Sequence, residues 1–162
     1  MTNIKRIQKY IENIVRCAII ALSATFTASL EANSGVNTLY SQQQKKCLYD
    51  TVYHESRNQG KQGMIAVAWV TLNRVKDSRF PKTPCKVVYS PSQYSWTKNK
   101  PPIKEKDSYE VVKDIVDGVL IGKHKDNTFG ATYYHATGIK PYWTKDMKCT
   151  TKIGGHKFYK PK

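Results

Sequence analysis

Several features common in metal-binding and nucleic-acid-binding proteins are missing from this 162-residue chain. Its four cysteines include no C-x-x-C pair, which argues against a structural zinc site. It has neither zinc-finger spacing nor an aromatic RNA-binding motif, and its lysines are spread along the chain instead of gathered on one helix. It also lacks internal repeats and low-complexity tracts, and its length predicts a single domain.

Acidic residues are scarce, with 12 Asp and Glu against 27 Lys and Arg. Such a balance favours polyanionic partners. Nucleic acid is one class of polyanion, and bacterial walls that carry teichoic acids or peptide carboxylates are another. Because no nucleic-acid motif accompanies the charge, we expect no nucleic acid partner. A basic surface that only maintains solubility is the alternative.

The N-terminal part contains no apolar run of the roughly 20 residues that a stable membrane span needs. Basic residues instead precede a mostly apolar stretch of signal-peptide length at residues 17–30. The sequence therefore predicts a signal peptide or signal-anchor-like segment at residues 1–32, a linker at 33–42 and a folded domain at 43–162. An uncleaved segment that contacts the membrane before release, or an amphipathic helix that packs on the domain, stays open.

Cysteine use follows from this expected export. Without residues 1–32, three cysteines remain, and an odd number leaves at least one thiol free. An oxidising compartment permits disulfide bonds. We expect the bond to join Cys85 and Cys149.

The pattern of apolar residues predicts a mainly helical chain. The expected helices lie at residues 43–57, 62–77, 85–90 and 108–121. The second is apolar on more than one side, as a central buried helix would be. Two short aromatic segments, 130–135 and 152–159, are typical of strands and are expected to pair. The predicted fold is thus an α+β, mainly helical single domain with a small β-sheet or hairpin.

Glu55 is the most informative residue, because it lies on the apolar face of the first predicted helix. Leu48, Val52 and Glu55 are spaced i, i+4 and i+7, which places them on one face. A carboxylate on such a face costs free energy unless it is paired, neutralised or used. Partial burial would raise its pKa, as a general acid requires. The alternative is an ion pair with Arg57 or Arg74 that ties two helices together.

Glu55 also belongs to an ordered series of motifs. They are Cys47-Leu-Tyr-Asp-Thr-Val-Tyr-His-Glu-Ser-Arg57, Gly63-Met-Ile-Ala-Val-Ala-Trp-Val-Thr-Leu-Asn-Arg-Val75, Arg79-Phe-Pro81, Cys85-Lys-Val-Val-Tyr89, Gln93-Tyr-Ser-Trp96, Gly130-Ala-Thr-Tyr-Tyr-His135, Pro141-Tyr-Trp143 and Ile153-Gly-Gly-His-Lys-Phe-Tyr159. In this order they resemble the SleB-type cell wall hydrolase family, which includes spore-cortex-lytic enzymes and related phage and bacterial proteins. The resemblance covers about residues 47–160.

The resemblance implies a lysozyme-like, lytic-transglycosylase-like catalytic domain at residues 43–162 that cleaves peptidoglycan glycan strands. It also implies that Glu55 is the catalytic glutamate. The sequence shows no evident second carboxylate, and a single acid suits a lytic transglycosylase that leaves 1,6-anhydro-muramic acid ends. Hydrolysis by water stays open. A phage endolysin and a bacterial wall hydrolase fit the residues equally well.

Sugar rings bind by stacking on aromatic side chains, with hydrogen bonds to polar ones. The candidates for one wall of the cleft are Gln93, Tyr94, Ser95 and Trp96. Those for the other wall are Tyr133, Tyr134, His135, Tyr142 and Trp143. Because side chains alternate along a strand, only one of Tyr134 and His135 can face the cleft, and Tyr134 is favoured. We expect no cofactor and no metal, a monomer, and peptidoglycan with anionic wall polymers as partners in the periplasm or cell wall.

Two rival functions remain at this point. A zinc hydrolase would use His54, Glu55, His135 and His156, but Asn58 stands where the H-E-x-x-H motif requires its second histidine. A non-catalytic wall-binding or nucleic-acid-binding module would account for the charge. Glu55 on a buried helix face argues against that second rival.

Overall fold

The computed structural model describes residues 40–162, and the predicted signal segment and most of the predicted linker lie outside these residues. Within these residues four α-helices come first: α1 (Gln42–Ser56), α2 (Gly60–Lys76), α3 (Pro84–Val88) and α4 (Lys106–Leu120). An antiparallel sheet follows, with strands β1 (Tyr133–Ala136), β2 (Met147–Ile153) and β3 (His156–Pro161) in the order β1-β3-β2. The prediction of a mainly helical α+β domain is confirmed. Within the described part, no helix is long and apolar enough to cross a membrane.

Helix α1 begins one residue before its predicted start, at a serine cap. The Ser41 side chain accepts a hydrogen bond from the backbone N–H of Gln44, which satisfies a donor of the first turn. Leu48 and Val52 on its apolar face are fully buried. The predicted stripe therefore points into the core, and Glu55 continues it in the last turn.

Helix α2 is the central helix, as its apolar sequence predicts. Its buried residues pack against those of α1 and α4 in the main core cluster, among them Ile65, Val67, Ala68 and Leu72. The opposite side, with Ala66 and Val70, packs on Phe158 of β3. Helix α2 thus separates the helices from the sheet and contacts both.

Gln59, in the turn between α1 and α2, joins this turn to the β2–β3 turn. Its side-chain Oε1 accepts a 2.8 Å hydrogen bond from the backbone N–H of Gly155. A Cβ atom at Gly155 would lie 3.0 Å from the same oxygen, and one at Gly154 would lie 2.9 Å from it. Both glycines are therefore required for the close approach. Gly154 also has a φ of +54°, a backbone conformation that residues with a side chain rarely adopt.

The sheet corrects one prediction. The expected pairing of the two aromatic segments is present, since Tyr133 lies opposite Tyr159 and Tyr134 opposite Phe158. The segment predicted at 152–159, however, is split by the Gly154–Gly155 turn. Its first part belongs to β2, a strand that the sequence did not predict. Strand β2 has no fully buried residue and its sequence Met-Lys-Cys-Thr-Thr-Lys-Ile gives little apolar alternation, which is why it was missed.

The disulfide prediction was wrong. Cys85 bonds to Cys47, with the two Cα atoms 5.2 Å apart, and Cys149 is a free, exposed cysteine on β2. Cys47 lies on the side of α1 that packs against α3, and the backbone N–H of Cys85 also donates a 2.9 Å hydrogen bond to Oε1 of Gln44. The adjacency of α1 and α3, which sequence spacing does not reveal, decides the pairing.

Candidate active site

Glu55 lies half-buried in the last turn of α1, where that helix meets the sheet. Its Oε2 accepts a 2.7 Å hydrogen bond from the phenolic O–H of Tyr134 on β1. Tyr134 in turn stacks on Phe158, which is fully buried between the sheet and α2. The carboxyl group is therefore held by a side chain that is itself fixed by the core.

Burial is the main influence on the pKa of Glu55 and raises it above its ordinary value. The hydrogen bond from Tyr134 and the positive charge of Arg74 act in the opposite direction, and the net pKa remains raised. A carboxyl group in this state keeps its proton to a higher pH than a solvated glutamate. It can also give up that proton, because the hydrogen bond from Tyr134 and the charge of Arg74 stabilise the carboxylate that remains.

Neither arginine forms the ion pair that was the alternative explanation for Glu55. Arg57 donates through Nε to Oε2 of Glu105 at 2.6 Å, and Arg74 donates through Nε to the carbonyl oxygen of Thr132 at 2.8 Å. Among residues 40–162, no ion pair includes Glu55. Tying helices together is thus not the role of this carboxyl group.

Arg74, which the sequence indicated only as a candidate ion-pair partner of Glu55, is a further residue of the site. It is 5% exposed, and its guanidinium lies over the rings of Tyr94, at 5.2 Å, and Phe80, at 5.7 Å. Its Nη1 is buried and makes no hydrogen bond within the described part of the chain. An arginine inside an otherwise apolar helix was the available signal, because buried charges require compensation.

The first predicted cleft wall is only partly available for binding. Tyr94 is 3% exposed, and its hydroxyl shares a 2.7 Å hydrogen bond with Oγ1 of Thr71, so its ring belongs to the core. Ser95 is exposed and Gln93 is half-buried. Trp96 is half-buried and stacks on His54, with ring centroids 4.8 Å apart. Trp96 is the aromatic residue of this wall that remains accessible.

Strand β1 divides the second predicted wall between its two sides. Tyr134 faces Glu55 and the helices, whereas His135 faces the other side, where its Nε2 lies 3.0 Å from the hydroxyl of Tyr159. Trp143 and Tyr133 pack on that far side as well. His135 is 5% exposed and Tyr142 is 85% exposed. Of this set, the structure brings only Tyr134 to Glu55.

The other ionisable groups near α1 do not supply a partner for Glu55. Asp50 accepts hydrogen bonds from Lys46 and Tyr109, both at 2.7 Å. None of the groups that shift the pKa of Glu55 is a carboxylate. His54 stacks on Trp96 and His135 faces the far side of β1, so two of the three histidines of the zinc hypothesis point away from Glu55. Within residues 40–162, no three His, Cys, Asp or Glu side chains form a metal-binding group.

A small, mainly helical domain with a half-buried, hydrogen-bonded glutamic acid between helix and sheet defines a class of enzyme that can work by acid–base chemistry. The chain belongs to the Cell Wall Hydrolase family, whose sequence profile matches residues 58–159. That match begins three residues beyond Glu55.

Curated and solved relatives agree with this family. The chain is 32% identical over 137 residues to a spore cortex-lytic enzyme of Bacillus cereus, a match that covers 79% of this chain and 49% of the relative. The chain thus spans about half the length of the curated relatives that it matches. It is 30% identical to the crystal structure of the catalytic domain of the Bacillus cereus SleB protein, with a TM-score of 0.61 over 75% of this chain and 92% of that one. The catalytic domain of the germination-specific lytic transglycosylase SleB from Bacillus anthracis gives 30% identity and a TM-score of 0.62, over 75% and 97% of the two chains.

Proposed function

We propose that this protein cleaves peptidoglycan glycan strands between N-acetylmuramic acid and N-acetylglucosamine, with Glu55 as its general acid and base. The observation that supports this most directly is the half-buried Glu55 carboxyl group, whose pKa burial raises and whose Oε2 is fixed by Tyr134. Membership of the Cell Wall Hydrolase family supports the substrate class. One solved relative is titled a lytic transglycosylase, which supports the reaction type.

The proposed reaction needs one carboxyl group in two successive roles. Glu55 first donates its proton to the glycosidic oxygen, and the bond from that oxygen to C1 of muramic acid breaks. The resulting carboxylate then accepts the proton of the muramic acid 6-hydroxyl, whose oxygen attacks C1 and closes a 1,6-anhydro ring. Proton and electron pair are balanced over the two steps, and no water is consumed. Tyr134 occupies Oε2, so we assign the proton transfer to Oε1.

The Tyr134 hydrogen bond and the charge of Arg74 suit the second role. Both stabilise the carboxylate that remains after the first proton transfer, and both lower the pKa that burial raises. An acid that must become a base within one turnover needs such opposing influences, since an extreme pKa in either direction would slow one of the two steps.

We place the protein's action outside the cytoplasm, in the periplasm or cell wall. The Cys47–Cys85 disulfide supports an oxidising compartment, and the predicted export segment at residues 1–32 is consistent with it. Both a phage endolysin and a bacterial wall hydrolase would act there.

Mass spectrometry of the soluble products tests the proposal. Purified peptidoglycan would be treated with the full chain, with Glu55→Gln and with Glu110→Gln, a matched change at an exposed glutamate of α4. We expect anhydro-muropeptides from the wild type and from Glu110→Gln, and none from Glu55→Gln. Reducing products, heavier by one water, would mean that the enzyme hydrolyses the strand and is not a transglycosylase. Absence of glycan products on several wall types would overturn the enzymatic function and leave a wall-binding module.

A further inference from the structure

Two grooves share the stacked rings of His54 and Trp96 in their lining. One groove has a volume of about 340 Å³ and the other about 330 Å³, and Pro101 and Pro102 also line both. His54 precedes Glu55 on α1, so its side chain points about 100° away around the helix axis. The grooves therefore open on a different side of α1 from Glu55, which lines neither of them.

The two grooves combine an apolar floor with a basic rim. The proline and aromatic rings form the floor, and the rim cations are Lys46, Arg57, Lys100 and Lys104. The two acidic residues at the rim are already engaged, since Asp50 binds Lys46 and Glu105 binds Arg57. Lys100 and Lys104 form no ion pair with any residue of 40–162. The free charge of these grooves is therefore positive.

The ring pair also offers hydrogen-bonding groups through His54, which lines both grooves. Burial lowers the pKa of His54, so its imidazole is neutral near pH 7 and offers one donor and one acceptor. A ligand with oxygen acceptors, apolar side chains and negative charge would satisfy all three properties of the surface.

We propose that these grooves bind the carboxylate-bearing peptide that branches from the lactyl group of muramic acid in peptidoglycan. The inference rests on the proposed function, because it is the glycan strand at Glu55 that would bring the branch to this position. A peptide leaves the strand sideways, and we place this branch in the grooves because His54, which lines both, adjoins Glu55 on α1. Its methyl groups match the proline and aromatic floor, its amide groups match the imidazole of His54, and its carboxylates match Lys100 and Lys104. The enzyme would accordingly prefer peptide-substituted strands to bare glycan.

A binding experiment separates this inference from the proposed catalysis. The full chain carrying Glu55→Gln would be titrated in solution with uncrosslinked glycan strands that either keep their peptides or have lost them to an amidase. We expect severalfold tighter binding to the strands that keep their peptides. Adding Lys100→Gln and Lys104→Gln should bring the ratio of the two affinities close to one. Both lysines are exposed, so the variants should fold, and circular dichroism would verify this.

The control variant carries Lys148→Gln and Lys152→Gln, which remove the same charge from exposed lysines of β2. It should keep the preference for strands that carry peptides. Equal binding to both kinds of strand by the starting protein, or equal loss of preference in the control, would overturn the inference. Because a binding titration needs no turnover, failure here is distinguishable from failure of the product analysis, which tests Glu55 alone.

Discussion

The phenolic O–H of Tyr134 donates a 2.7 Å hydrogen bond to Oε2 of Glu55 across 79 residues of sequence. This bond joins the last turn of α1 to the first strand of the sheet. Burial raises the pKa of Tyr134 well above its ordinary value, so its hydroxyl keeps the proton that it donates. The candidate active site therefore exists only when helices and sheet are assembled together.

Tyr134→Phe should reduce glycan cleavage about ten- to a hundredfold, because hydrogen bonds to charged groups contribute about 1.5–3 kcal/mol. The change removes the donor while it keeps the ring that stacks on Phe158. Initial rates of product release would measure the loss. Tyr109→Phe is a matched control, since it removes a 2.7 Å bond to the carboxylate of Asp50 away from the site. Equal losses in the two variants would contradict a specific role for Tyr134.

The pH dependence of stability should reveal the raised pKa of Glu55. The folded state holds the Glu55 proton more tightly than the unfolded chain, so the contribution of Glu55 to stability declines as pH rises from about its ordinary value of 4.5 to its folded value. Glu55→Gln has no such decline. The free energy of unfolding of Glu55→Gln minus that of the wild type should thus increase over this range and then level off.

Urea unfolding between pH 4 and pH 8 would measure that difference. Glu110→Gln serves again as the control at an exposed glutamate, and its difference from the wild type should change little with pH. A difference for Glu55→Gln that decreases as pH rises would mean that the pKa of Glu55 is lowered in the folded protein. That result would remove the physical basis for its role as an acid.

Arg74→Met should raise the pKa of Glu55 further, because it removes the nearby positive charge. At the high-pH limb of the kcat/KM profile, activity falls because Glu55 loses its proton. This limb should move to higher pH in Arg74→Met, and the rate at the pH optimum should fall. Arg74→Lys keeps the charge and should leave the limb close to its original position. Both variants lose the guanidinium stacking on Tyr94 and Phe80, so both should be less stable. A limb that stays in place in Arg74→Met would contradict electrostatic coupling.

Cys85→Ser should lower the free energy of unfolding by about 3–4 kcal/mol, given a bond that closes a loop across 38 residues of sequence. Cys149→Ser should leave stability nearly unchanged, because that cysteine is free and exposed. Denaturant unfolding with and without a reductant would test both variants. A loss in Cys149→Ser equal to that in Cys85→Ser would contradict the Cys47–Cys85 pairing.

The helices were predictable because burial repeats along each of them with the helical period. Leu48 and Val52 predicted the buried face of α1, and the same stripe predicted the half-buried position of Glu55. Strand β2 was not predictable, since none of its residues is fully buried and its sequence carries little of the alternation that identifies a strand. The disulfide depended on how α1 packs against α3, which is a tertiary property.

The sequence indicated Glu55 as a residue of the candidate site, but it indicated the residues around Glu55 less well. Because side chains alternate along a strand, only one of Tyr134 and His135 could face the cleft. The favoured one, Tyr134, contacts Glu55. Tyr94 was misjudged because an aromatic residue in a loop can serve the core as well as a ligand. Arg74 was considered only as an ion-pair partner of Glu55, whereas its charge acts on Glu55 from the next helix without a direct bond.

The link between Gln59 and Gly155 has a mechanical consequence. It fastens the turn that follows Glu55 to the tip of the hairpin whose strand β3 pairs with the strand of Tyr134. This corner of the domain is thereby braced at two points, at the hydroxyl of Tyr134 and at the amide of Gly155. Residues 89–104, which carry Trp96, are held to α2 at a separate point, the hydrogen bond between Tyr94 and Thr71. Glu55 and Tyr134 should therefore keep a constant spacing when a stiff polymer binds.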